Sequence, residues 1–113
     1  MSVAAWQRAT LPLLILGVLE SAPRHGYGIS AALVDVGLHP IKGAQLYPAL
    51  VKLENEGAIV ATWEQSESGP ARKVYELTAT GRTQLATLRE DWRTFTTAAA
   101  QLGAAATTPS TRR

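Results

Sequence analysis

The side chains able to do chemistry in this chain fall into two sets. The first is hydrogen-bonding and cationic: Gln45, Tyr47, Lys52, Arg72 and Lys73. A primary amide can pair with a base edge, and a helix front end with ammonium and guanidinium groups nearby suits phosphate. The second is apolar, with Trp92 in the middle of the series Leu85, Leu88, Trp92, Phe95, Ala99 and Leu102. Groups at that spacing are buried against another helix, and a flat indole among them could also stack on an aromatic ligand.

Covalent catalysis has little to stand on. The chain has no cysteine, which removes disulfides, thiolate zinc sites and cysteine nucleophiles. Its two histidines, His25 and His39, fall short of the three or four ligands a metal site normally needs. There is no Gly-rich phosphate loop, and the carboxylates are scattered rather than paired for acid–base work. No enzyme activity, catalytic residue, metal or cofactor is expected.

With 113 residues, 46% hydrophobic and 18% charged, the chain fits one compact domain. Aromatics are scarce at 6%, which favours a modest core completed by a partner. The net charge of +2 is a weak signal. Setting aside Arg112 and Arg113 leaves nine positive side chains against nine acidic ones, so any polyanion must be recognised by where charges sit. The longest apolar run, Leu11 to Leu19, is about half of what a bilayer needs. Pro12 and Glu20 at its ends argue against a secretory signal, so a cytoplasmic protein without membrane contact is expected.

The elements that must position these groups follow from periodicity. Residues 1–9 are polar and small apart from Trp6, and Thr10 with Pro12 reads as the start of a first, many-sided buried helix. After the break "SAPRHG", Ile29, Ala32, Leu33 and Val36 mark one face of a second helix stopped by Gly37. Leu46, Leu50 and Leu53 mark the core face of a third, ended by Gly57, leaving Ala44, Gln45, Tyr47, Pro48 and Lys52 nearer the outside. Pro48 removes a backbone N–H if that helix begins at Gly43, but costs little if it begins near Leu46 or Tyr47. From the residues alone, this outward set is as well read as a solvated face.

"AIVATWEQ" and "ARKVYELT" alternate in strand fashion around the turn "SESGP" and form a β-hairpin. Thr78 caps a last helix whose apolar steps of three and four persist for nearly three heptads. The fold class is mainly α with a small β-hairpin. Residues 1–78 form a winged helix-turn-helix unit, 79–103 a dimerisation helix and 104–113 a loose tail.

"HGYGI" at 25–29, "GAQLYPALVKLENEG" at 43–57, "ESGPARKVYELTATG" at 67–81 and "DWRTF" at 91–95 together resemble the PadR family of bacterial transcription regulators. The resemblance runs from about Leu11 to Leu102, and the single C-terminal helix is similar to the compact, multidrug-binding branch. It implies a homodimeric winged-helix repressor of double-stranded DNA, with a recognition helix from Gly43 to Glu56 and a wing from Ala58 to Thr78. It implies DNA contact by members of the set Gln45, Tyr47, Lys52, Arg72 and Lys73. It further implies a flat pocket at the dimer centre lined by Trp92, with Leu88 and Leu13 aligned to other lining positions. The dimer seam would hold Leu85, Leu88, Trp92, Phe95, Ala99 and Leu102, clasped by the segment carrying Trp6.

Tyr27, between its two glycines, is expected to pack under a tight bend, and His25 to be a polar surface residue. Arg89 and Arg93 beside Trp92 depart from the multidrug pattern and open the way to anionic or neutral aromatic effectors. The competing reading is a winged helix turned to protein interaction or dimerisation, without sequence-specific DNA binding. It is motivated by the thin set of basic residues.

Overall fold

A computed structural model describes residues 2–103, so the expected tail at 104–113 lies outside the described residues. Five helices and three strands follow in the order α1 (Val3–Ala9), α2 (Leu11–Ser21), β1 (Arg24–His25), α3 (Gly26–Asp35), α4 (Gly43–Asn55), β2 (Ile59–Ser66), β3 (Gly69–Leu77) and α5 (Ala79–Gly103). The mainly α fold with a winged hairpin and a long last helix is the one expected.

Helix α2 is buried on several sides, through Leu11, Ile15, Leu16 and Leu19. Ile29 of α3 and Leu46, Leu50 and Leu53 of α4 close around it, with Ile59, Tyr75 and Leu77 from the sheet. The ends of α3 and α4 are built alike. Gly37 and Gly57 take φ of 94° and 77°, a left-handed conformation that side chains with a Cβ resist. Leu38 N–H then donates to the Leu33 carbonyl, and Ala58 N–H to that of Leu53, which closes each helix on its own last turn.

Three features differ from the sequence expectation. Residues 3–9 form a helix, capped by the Ser2 hydroxyl accepting from the Ala5 amide. Thr10 does not cap α2 with its side chain; its hydroxyl donates back to the Trp6 carbonyl at the end of α1. The hairpin gains a third strand, giving the order β1-β3-β2, because Arg24 and His25 pair antiparallel with Tyr75 and Val74.

Helix α4 takes the early start. The Lys42 carbonyl accepts from the amides of Gln45 and Leu46, so Pro48 lies inside the helix. The carbonyl that loses its donor belongs to Ala44, which is solvent-exposed, so water can satisfy it.

Helix α5 begins at a tight junction. Thr78 Oγ1 accepts from the Gly81 amide at 3.0 Å and donates to the Gly57 carbonyl at 2.6 Å, while the Thr78 amide donates to the Ala58 carbonyl. A Cβ on Gly81 would overlap the Ala58 carbonyl oxygen, so only glycine lets α5 come this close. Leu85, expected in a seam between copies, is a correction. It is 1% exposed in the single chain and fills that chain's own core, leaving no surface for a partner. Leu88 still packs against the core and Arg89 reaches Glu20, but farther out the helix emerges, with Phe95 52% and Leu102 92% exposed.

Candidate nucleic-acid interface

Helix α4 turns Leu46, Leu50 and Leu53 inward, which forces Ala44, Gln45, Tyr47, Pro48, Val51 and Lys52 to the surface. The five polar candidates then divide between its two flanks. Tyr47, Arg72 and Lys73 share a groove of about 450 Å³ between α4, the start of α3 and the wing. Gln45 lies on the other flank, beside Arg8 of α1 and Lys42. Lys52 is strongly exposed and stands 4.0 Å from Glu56, one turn on.

In the groove, Tyr47 packs its ring over Gly26. A Cβ there would meet the Tyr47 hydroxyl at 2.8 Å, so the "HGYG" glycine is explained by this close approach. Tyr27 corrects the sequence expectation. Rather than packing under the bend it is 78% exposed, its ring stacked near His25 at 6.4 Å. His25 is also more than a surface residue. Its Nδ1 faces the Gly28 amide at 3.4 Å as the cap of α3, and its Nε2 lies 3.3 Å from Arg72 Nη1. A neutral imidazole has one acceptor nitrogen, so His25 serves either the α3 amide or the guanidinium at a given moment.

Lys73 points to the α4 side of the wing, 3.7 Å from Glu54 and 5.9 Å from the ring centres of Trp63 and Tyr75. Burial raises the Tyr75 hydroxyl above its ordinary pKa, helped by Glu54, so it remains a neutral hydrogen-bonding group. Arg72 is one residue earlier and belongs to the opposite side of the strand, yet both cations reach the groove. The two wing residues therefore present charge at different depths. Sequence reasoning missed Trp63 and Tyr27 as groove-lining groups. Trp63 shares the face of Ile59 and Ala61 but lies beyond the reach of the core, 69% exposed.

A second, apolar cleft of about 340 Å³ lies between α1, α2 and α5, lined by Trp6, Leu13, Leu88, Trp92 and Phe95, with Asp91 at its wall. All three expected ligand residues meet here. The Phe95 ring is 6.4 Å from Trp6 and 6.3 Å from Trp92. The two arginines that favoured anionic effectors are engaged elsewhere. Arg89 clasps Glu20 of α2 with contacts of 2.8 and 3.2 Å, and Arg93 pairs with Glu90 at 2.6 Å. The cleft surface is thus almost wholly apolar, with Asp91 the one ionisable residue at its wall.

Residues 15–87 match the Transcriptional regulator PadR-like family. The chain belongs to this family. Its members are DNA-binding transcriptional regulators and not enzymes. A PadR family transcriptional regulator from Eggerthella lenta DSM 2243 is 31% identical, with a TM-score of 0.79 over 88% of this chain and 87% of that one. A PadR family transcription regulator from Clostridium difficile R20291 is also 31% identical, with a TM-score of 0.71 over 81% and 97% of the two chains. An uncharacterized protein of Lysinibacillus sphaericus is 31% identical over 87 residues, 75% of this chain and 80% of that protein. The PadR-like match spans the groove residues from His25 to Tyr75 but stops short of Trp92, so the apolar cleft is only partly within it.

Proposed function

We propose that this PadR-like chain is a homodimeric repressor that lays α4 and the wing on a pseudo-palindromic operator. We further propose that a flat aromatic molecule in the Trp92 cleft relieves repression. The observation that carries the DNA reading is the sidedness of α4. Its leucines are buried while Gln45, Tyr47, Pro48 and Lys52 face out, with Tyr47 sharing its groove with Arg72 and Lys73 of the wing and Gln45 lying beside Arg8 and Lys42. Base edges are then met from the front of α4, and Arg72 and Lys73 lie toward the sugar-phosphate backbone. Two-fold symmetry of the dimer sets half-sites about one helical turn apart, or a multiple of it.

Pairing of copies is supported by the outer half of α5, where Trp92 and Phe95, only partly shielded by the cleft, and the exposed Ala99 and Leu102 continue the heptad spacing. The ligand class follows from the apolar, aromatic walls of the cleft, with Arg89 and Arg93 drawn away to glutamates.

Anisotropy titration of the full chain against fragments of its own promoter, at two salt concentrations, tests the DNA reading. Specific binding that weakens steeply with salt is expected. Failure to bind any genomic fragment at low salt would sink it. Alanine at Lys52, Arg72 and Lys73 together should abolish operator binding. If affinity survives, the contacts are elsewhere and the competing interaction-module reading gains. For the cleft, a planar aromatic dye should quench tryptophan emission in the parent and lose most of that response in Trp92→Phe.

A further inference from the structure

Gln7 is the one polar or charged side chain buried among the described residues, 6% exposed, and both ends of its amide are used. Nε2 donates to the His39 carbonyl at 2.6 Å, and Oε1 accepts from the His39 amide at 3.0 Å. That backbone begins the short segment leading into α4. The segment's other anchors are the Ile41 amide donating to Ser30 Oγ at 2.9 Å and the Leu38 amide donating to the Leu33 carbonyl. Gln45, in the first turn of α4, lines the same cleft as Gln7 and His39.

The residue before Gln7 lies about 100° round the helix and reaches a different neighbour. Trp6 lies in the apolar cleft with Leu13, Leu88, Trp92 and Phe95. Helix α1 has only seven residues, too few to hold its own shape, and meets α2 at a bend of 78°. Its seat is therefore set by what its side chains touch, and two adjacent ones touch different parts of the molecule.

We propose that Gln7 is a positioning residue for α4, and that through α1 it makes the entry of that helix answer to the state of the Trp6 cleft. Neighbours on one short helix cannot move independently. Anything that shifts Trp6 pulls the Gln7 amide against a backbone amide whose hydrogen bond it supplies. Leaving that N–H unpaired is costly, so the His39 segment follows or the bond opens. Either outcome moves the first turn of α4, where Gln45 stands. The consequence for operator binding rests on the reading of α4 as the DNA-contacting helix; the link from Trp6 to His39 does not.

Two variants of the full chain test this, Trp6→Ala at the cleft and Gln7→Leu at the clamp, with Gln7→Asn, which keeps a shorter amide, as the milder change if the leucine variant does not fold. The first readout, taken without DNA, is hydrogen exchange at the His39 amide. Trp6→Ala should speed that exchange about tenfold, as expected for a weakened buried hydrogen bond. A rate within about twofold of the parent would overturn the link, because local opening would not have changed. The second readout is operator affinity. Each single variant should weaken it about tenfold and the double variant no further, since changes acting on one route are not additive. Additive losses would also overturn the proposal. A parent that binds no operator would defeat the DNA reading alone, while exchange at His39 still decides the link.

Discussion

At Gly81 a single methyl group decides whether the chain closes. An alanine Cβ would run into the Ala58 carbonyl and stand 2.7 Å from Leu77 Cδ1, and backbone cannot step aside as a flexible side chain would. Gly81→Ala should cost about 3 kcal/mol, at the upper end of overpacking, measured by urea denaturation. Glu20 gives a prediction in pH. The hydrogen bond from Arg89 holds its carboxyl below the ordinary value, against an opposing effect of desolvation. A carboxyl lowered by folding stabilises the protein above its unfolded value and loses that contribution as pH falls through its folded one. The melting-temperature gap between the parent and Glu20→Gln should therefore be present at neutral pH and close on acidification. A gap that persists to about pH 2 would mean that Glu20 acts through packing rather than charge.

At the scale of elements, α4 carries a test of its own start. Because the helix begins at Gly43, Pro48 denies a donor to Ala44. Pro48→Ala restores that bond and should stabilise the chain by about 1–3 kcal/mol in the same denaturation experiment. No gain would place the true beginning of the helix after Tyr47. The leucine spacing of α4, the alternation of the hairpin and the heptads of α5 were legible because each repeats over many residues. Helix α1 was not, since its one buried side chain is a glutamine held by a distant backbone, which no apolar period reveals. Strand β1 is two residues long and exists through its pairing with β3. Leu85 was misread for a related reason. A heptad reports that a helix is covered, but not whether by its own chain or by another. Tyr27 and Trp63 escaped because an exposed aromatic leaves the same trace in a sequence as a buried one.

At the scale of the molecule, the described residues form an elongated body, 64 Å in its longest dimension and 27 and 22 Å in the others. The free half of α5 accounts for the apolar surface at one end. If a second copy covers it, charge on that surface should separate the pair. Phe95→Glu with Leu102→Glu is expected to halve the mass seen by sedimentation while far-UV circular dichroism of the remaining fold persists. An unchanged mass would move the contact off this helix.

The junction at Gly57, Ala58, Thr78 and Gly81 has a mechanical meaning. It welds the end of α4, the root of the wing and the first turn of α5 with hydrogen bonds and backbone contact. If the α4 and wing unit is the head that meets DNA, it and the helix behind it turn together as a lever. At 1.5 Å per residue the 25 residues of α5 make an arm of about 37 Å, so a tilt of about 6° at the far end carries the head some 4 Å, roughly one base-pair step. Two such arms pivoting against each other would change the spacing between the heads by twice that, with neither head altering its internal structure.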